Sequence, residues 1–432
     1  MNKTIFCLLT FFSINQGMAQ KATISEAEVT RIVKTLSTDE MQGRKVFTPG
    51  ITKASAFIEQ EFKKIGLQPF PGLQSYSQSF SVYSVEPIKQ EVSLNEVVIP
   101  NQQILISSSQ EAVNWTSQGA PAPEQAIISA SENFVARASS LLDQKKNLIV
   151  LVNPAHAEIF QRYKTYLGRR NMRLEKAENT VVFVLADLTQ ATKFSVNAQN
   201  KVVEQKLNNV VGMLPGKSRK EEYVIFSGHY DHIGIQPAVN GDSIANGADD
   251  DASGITAVIA LAKHFKQKKN NERSLLFVAF TAEEVGGYGS QYFSKQLNPD
   301  QVVAMFNIEM IGKESQFGKN AGFITGFDRS DFGQIVQRSL SGYNFQFHPD
   351  PYVKENLFYR SDNATLARLG VPAHSLSTDK IDTDKLYHSV DDEFESLDIS
   401  NLTQTIRAIA KGAESIIAGK DTPTRIAPEP QH

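Results

Sequence analysis

The sequence predicts an α/β protein with a mixed, mostly parallel sheet, helices on both faces and an inserted α+β lid subdomain. Two observations carry the α/β class. From residue 209 onward, short apolar runs alternate with stretches of helical periodicity. Those runs are apolar throughout, not in alternate positions, which fits strands buried on both faces. A third observation carries the insertion: between residues 95 and 204 this order gives way to proline- and serine-rich loops around a few isolated apolar runs.

At 432 residues, with 41% hydrophobic and 21% charged positions, the chain has ordinary globular composition and room for more than one domain. A net charge of -3 gives no sign of a nucleic-acid or anionic-membrane partner. Lys3, the apolar stretch from Ile5 to Ile14 and Gly17-Met18-Ala19 read together as a secretory signal peptide over residues 1–19. The stretch is too short for a spanning helix, so the expectation is export to the periplasm or outside the cell, with no stable membrane insertion once it is removed. The single cysteine, Cys7, lies inside it. The mature chain would have no disulfide, thiolate ligand or cysteine nucleophile, leaving any metal to His, Asp and Glu.

Val29, Ile32, Val33 and Leu36 fall at helical spacing, with Thr23 or Ser25 as cap. Asp39 to Arg44 reads as a loop and Thr48-Pro49-Gly50 as a turn. A second helix carries Ala54, Phe57, Ile58, Phe62 and Ile65 and stops at Gly66. Residues 72 to 110 alternate in the manner of β structure. In the insertion, Pro121 to Pro123 and the serine-rich 129–140 read as loops, Leu148 to Val152 and Thr180 to Leu185 as buried strands, and the basic Tyr163 to Lys176 as a solvated helix. Strands then follow at Tyr223 to Ser227, Leu275 to Phe280, Val302 to Ile308 and Val371 to Leu376. Helices open at Gly254 and close the fold from Ile399 to Ile417. The expected division is 20–94 with 205–420 as main domain, 95–204 as insertion and 421–432 as a flexible tail.

Acids and histidines recur where the apolar strands end: His229 and Asp231, then Glu283 and Glu284, then Glu309. Adjacent carboxylates at buried strand ends are costly without a positive partner. A divalent metal pair is the simplest compensation, and zinc accepts both imidazole and carboxylate. Asp249, in the turn Gly247-Ala248-Asp249-Asp250-Asp251-Ala252-Ser253-Gly254 just before a helix, is the expected bridge. Each piece has a plainer reading: Glu283 and Glu284 as a helix start, Asp249 to Asp251 as a cap. Their recurrence at successive strand ends favours the metal.

The motifs His-Tyr-Asp-His-Ile-Gly at 229–234, Gly-Ala-Asp-Asp-Asp-Ala-Ser-Gly at 247–254, Ala-Glu-Glu-Val-Gly-Gly-Tyr-Gly-Ser at 282–290 and Asn-Ile-Glu-Met-Ile-Gly at 307–312 occur in this order. Arg-Ser-Asp at 360–362 and Tyr-His-Ser-Val-Asp-Asp at 387–392 follow, and Met-Gln-Gly-Arg at 41–44 and Ile-Gly-Leu at 65–67 precede them. As a set they resemble the M28 family of zinc exopeptidases, over residues 21 to about 90 and about 205 to 420. The resemblance implies a zinc exopeptidase-like fold and two zinc ions per chain. One ion would take His229 and Glu309, the other Glu284 and His388, with Asp249 between them and an Asp249–Asp250 cis peptide. Asp231 would fix His229 through its second ring N–H, Asp250 and His232 would be supports, and Glu283 would be the general base acting on a metal-bridging water.

Two positions depart from the family pattern: Glu309 where Asp is usual, and Asn363 where His commonly follows Arg-Ser-Asp. The implied activity is removal of N-terminal residues from peptides. Carboxypeptidase or dipeptidase action, glutaminyl cyclisation and an inactive peptide-binding relative are the alternatives. His374 reads as a core histidine, and oligomeric state is left open.

Overall fold

The computed structural model describes residues 23–169 and 172–427; the expected signal peptide lies outside them. Among the described residues, the centre is a sheet of four parallel strands in the order Ala373–Ser377, Val302–Ile308, Arg219–His229 and Arg273–Phe280. Antiparallel strands flank them, Ala321–Ile324 on one side and Phe194–Leu214 on the other, so the sheet is mixed and parallel at its core.

Period-2 alternation sorts the strand side chains onto two faces. Val224, Phe226, Leu275, Phe277, Ala304 and Phe306 join one core with the helices Glu26–Leu36, Pro49–Ile65, Gly254–Lys268 and Ile399–Gly412. Ile225, Leu276, Val278 and Met305 face the other way, against Phe293 and Leu366. Both faces are covered, which is why the strands read as unbroken apolar runs. Among the described residues, no helix is long and apolar enough to cross a membrane.

Local chemistry sets the helix ends. Ser25 caps the first helix by accepting the Glu28 N–H. Pro49, read above as part of a turn, opens the second helix, where its missing N–H has no cost. Gly66 closes it at φ 77°, a left-handed conformation open to glycine.

The alternating section after residue 72 is one long strand, Ser77–Leu94, paired antiparallel with Phe194–Leu214 from Ser77–Val210 out to Leu94–Phe194. This ribbon leaves the main sheet and carries a separate four-stranded sheet, ordered Ile104–Ser107, Val181–Leu185, Leu148–Val152, Glu124–Ile128, with its own apolar clusters. Two expectations fail in this region. The serine-rich stretch is helical over Phe134–Leu142: Asn133 caps it, and Phe134, Ala138 and Leu141 are buried at helical spacing that the serines obscured. The basic helix sits earlier, at Ala157–Arg169, and gives way to a short strand, Met172–Arg173, paired with Tyr83 and Ser84.

The tail, expected to be flexible, is packed as far as Ile426. Buried Arg273 donates to the carbonyls of Ile416 and Asp421, and Ile426 is only 3% exposed.

His374 is the core histidine expected. It is fully buried, stacked on Phe332, with Nδ1 2.8 Å from the Thr325 carbonyl and Nε2 2.8 Å from the Ser330 hydroxyl. Burial lowers its pKa to about 4, with Arg329 adding to the effect and the Thr325 carbonyl opposing it. A histidine in an unfolded chain titrates near 6.5, so the fold favours the neutral ring. This contribution is present above about pH 6.5 and is lost as pH falls toward 4, by roughly 3 kcal/mol at most. His374→Gln is therefore expected to flatten the acid limb of a melting-temperature profile relative to wild type; parallel profiles would contradict it.

Candidate metal centre

Parallel strands end together at one edge of the sheet, and in an open α/β sheet that edge is where ligands bind. His229 is the last residue of its strand, Glu283 and Glu284 follow Phe280, and Glu309 follows Ile308. His388 comes from a later loop and the aspartate turn from the segment before helix Gly254–Lys268.

The turn is held closely. Gly254 has no room for a side chain, because a Cβ there would lie 2.3 Å from the Ile308 carbonyl and 2.4 Å from the Asp251 carboxylate. Asp251 accepts the N–H groups of His229, Gly254 and Met310, so one carboxylate fixes three segments. Asp392 accepts the N–H groups of Asp249 and Asp250. Ala282, Met310 and His388 all have positive φ, at 59°, 50° and 55°. Three non-glycine residues in that strained region, at or beside Glu283, Glu309 and His388, mark a site whose geometry the surroundings impose.

Asp250 lies at the middle of the cluster. Its Oδ1 is 3.2 Å from His229 Nε2 and its Oδ2 is 3.3 Å from His388 Nε2. His229 Nε2 is also 3.1 Å from Glu309 Oε1, and His388 Nε2 is 3.0 Å from Glu284 Oε2. His229, Asp250 and Glu309 present ligand atoms within 4.8 Å of one another, and so do His232, Asp250 and Glu284. The cluster thus has two halves that share one carboxylate.

That carboxylate is not the expected one. Asp249 Oδ1 accepts the Gly312 N–H and the Ser253 hydroxyl, and its Oδ2 lies 3.4 Å from the Lys313 ammonium. Its neighbours at ligand distance are Asp379 and Asp384. The non-proline cis peptide likewise falls one residue later than expected, between Asp250 and Asp251. Three aspartates in a row left the register open by one, and the backbone turns the second of them inward.

Two further expectations change. His229 Nδ1 is 3.0 Å from the backbone carbonyl of Asp231 and 3.9 Å from its carboxylate. The carboxylate instead accepts the N–H groups of Glu283 and Glu284, so it orients both glutamates. His232, read as a support, has its Nδ1 2.8 Å from Glu284 Oε1, in direct contact with the second half.

Glu309 reaches His229 despite the departure from the family pattern, and the Ser361 hydroxyl donates to its other oxygen at 2.6 Å. Asn363 is buried, donates to the Phe358 and Ala373 carbonyls and accepts from Ser375, which is a structural role. The sequence reading gave no role to Arg44. It is fully buried and donates to the carbonyls of Leu36, Tyr230, Asn246, Gly247 and Asp250, tying the histidine loop to the aspartate turn. Its place in the motif at 41–44 was the only signal for it.

The electrostatics fit a cation. Burial disfavours charge on His229, yet Glu309 and Asp250 hold its pKa well above the ordinary value. Burial likewise opposes charge on His388, but Asp250 and Glu284 raise it to about 10. Burial pushes the Glu283 carboxyl well above its usual range, with His229 opposing and the Glu309, Asp362 and Glu284 carboxylates adding to the rise. The cluster has more carboxylates than neutral imidazoles can balance. Imidazole nitrogen and carboxylate oxygen are the donors zinc takes, and a divalent pair supplies the missing charge.

Mixed sheet, parallel strand ends and a shared-carboxylate cluster define the zinc exopeptidase fold. Residues 209–413 match the profile of Peptidase family M28, so this part of the chain is similar to that family. Among curated proteins, a "Probable zinc metalloprotease" of Pyrenophora teres f. teres is 29% identical over 140 residues, 32% of this chain and 30% of that protein. "Leucine aminopeptidase 1" of Ajellomyces capsulatus is 28% identical over 211 residues, 45% of this chain and 52% of its own. The chain thus spans about half or less of the length of these relatives. Among solved structures, an aminopeptidase from Aneurinibacillus sp. strain AM-1 matches with TM-score 0.54 at 16% identity, covering 94% of this chain and 97% of that one. BSAP, a zinc aminopeptidase from Bacillus subtilis, matches with TM-score 0.53 at 17% identity, covering 95% and 99%. These two likenesses speak for the fold.

Met172 and Leu174 of the insertion pack beside Ala282 and Tyr288, against the loop that bears Glu283. The residues that line the cleft, among those described, run from Asp250 to His388, and none comes from 95–204.

Proposed function

We propose that this protein is a zinc-dependent exopeptidase that removes N-terminal residues from peptides. The observation that carries the reading is Asp250, with one carboxylate oxygen turned to the His229–Glu309 half and the other to the His388–Glu284 half. His229, Asp250 and Glu309 would hold one zinc ion, and Asp250, Glu284 and His388 the other, with His232 supporting Glu284. When bound, the zinc ions supply Lewis-acid polarisation of the scissile carbonyl and lower the pKa of water.

The chain's own residues do the rest. Glu283 lines the cleft beside Glu284, where a carboxylate could take a proton from the attacking water and return it to the departing amine. Asp231 holds Glu283 and Glu284 at their backbone, and Ser361 holds Glu309. The cleft, with Tyr387 and Arg360 on its walls, is narrow, about 80 Å³, which suits a chain end. The N-terminal apolar segment supports an exported protein whose substrates are peptides outside the cytoplasm.

The shared carboxylate favours two metals over the single zinc of a cyclase. Arg360 is the one feature that would favour a carboxylate-bearing substrate, but Glu355 already pairs with it at 3.4 Å. A peptide panel with free and blocked ends, run before and after chelation, tests the reading. Peptides with a free N-terminus are expected to lose one residue at a time, N-acetylated ones to survive, and chelation to stop the reaction until zinc is returned. Cleavage from the C-terminus, or activity indifferent to chelation, would contradict it.

A further inference from the structure

The cleft contains a carboxylate that the proposed chemistry does not use. Asp379 follows strand Ala373–Ser377, its N–H donates to Ser377 Oγ, and its side chain lines the same cleft as Glu283 and His388. It is 4% exposed, and its carboxylate meets no N–H or hydroxyl donor, only the carboxyl of Asp384, another acid. A buried acceptor left in that state is costly, so it calls for a partner.

The nearby protein cation is already engaged. Lys313 Nζ lies 2.7 Å from Asp384, 3.4 Å from Asp249 and 3.7 Å from Asp392. Asp379 has acids at ligand distance, Asp249 and Asp384. Burial, with Asp249 and Asp384 adding to it, pushes its carboxyl up to about 8. The alternatives for this group are a proton shared with Asp384 or a cation brought in from the cleft.

We propose that Asp379 selects the substrate's first side chain, receiving the ammonium or guanidinium head of an N-terminal lysine or arginine. This rests on the aminopeptidase reading and deepens it. The substrate's own α-amino group is two bonds from the scissile carbonyl carbon and must stay beside the metal-proximal acids. Asp379 belongs to neither of the histidine–carboxylate groups. A basic head stands several bonds further out, where Asp379 can meet it. Phe323, Leu357 and Ile381 line the same cleft and offer apolar wall to the methylene stem, the arrangement that lysine and arginine side chains favour. Arg360, on the same cleft wall, is already paired with Glu355 and does not compete for Asp379.

The test compares kcat/KM for the p-nitroanilides of lysine, arginine, norleucine and glutamate, using the zinc-loaded full chain. Wild type is expected to prefer lysine and arginine over norleucine by about ten- to hundredfold, the range of a charge-assisted hydrogen bond. In Asp379→Asn the lysine-to-norleucine ratio is expected to fall to about one, and in Asp379→Glu, which keeps the charge, a preference should return. A ratio near one in wild type, or one that Asp379→Asn leaves unmoved, overturns the proposal.

A second measurement separates it from the aminopeptidase reading. Lysinamide, but not norleucinamide, should raise the melting temperature of wild type and not of Asp379→Asn. If no p-nitroanilide is cleaved while this shift persists, the activity is wrong and the cation site stands. If the two amides act alike, the cation site is wrong.

Discussion

Glu283→Gln is expected to lower kcat by about a thousandfold or more, within or above the range for loss of a general acid–base. The amide is nearly isosteric with the carboxyl and keeps the backbone N–H that Asp231 accepts. The proposed metal donors His229, Asp250, Glu284, Glu309 and His388 are untouched, so zinc content should match wild type and KM should change little. What is lost is the group that moves a proton between water and the departing amine. Single-turnover kinetics beside metal analysis checks this. A variant that keeps its zinc and its rate would remove Glu283 from the mechanism.

Asp250→Asn and Asp249→Asn are expected to separate sharply. Asp250 is the one carboxylate that both halves of the cluster share. Its replacement removes the charge the two halves share and turns one of the two oxygens facing His229 and His388 into an NH2 that cannot ligate. Losing several kcal/mol of metal-derived stabilisation corresponds to a fall on the order of a thousandfold or more in kcat/KM. Asp249→Asn keeps an oxygen for the Gly312 N–H and the Ser253 hydroxyl, and Lys313 keeps Asp384 and Asp392. Its activity should stay within about tenfold of wild type, a loss of no more than about 1.4 kcal/mol. Peptide hydrolysis by the two purified variants, side by side, reads the difference.

The strands were legible because burial on both faces leaves an unbroken apolar signature, as in Leu275 to Phe280. The site was legible because carboxylates at buried strand ends stand out against that background. Register within Asp249-Asp250-Asp251 was not, since all three are buried acids and only the backbone decides which one faces the histidines. Asp231 showed the same limit: its partner is a pair of N–H groups 52 and 53 residues away in sequence, which no spacing rule anticipates. Arg44 was hidden for a different reason. Its five acceptors are backbone carbonyls, and carbonyls leave no mark in a sequence. The helix Phe134–Leu142 was hidden under serines that mimic loop composition while its apolar spacing was helical.

Asp250 would serve two zinc ions at once, being within ligand distance of both halves of the cluster. Zinc per chain, counted by elemental mass spectrometry after gel filtration, tests it most directly in wild type, Asp250→Asn and Asp249→Asn. The expected counts are close to two in wild type and in Asp249→Asn, and one or none in Asp250→Asn. Two zinc ions retained by Asp250→Asn, with loss in Asp249→Asn, would contradict the account and return the bridge to Asp249.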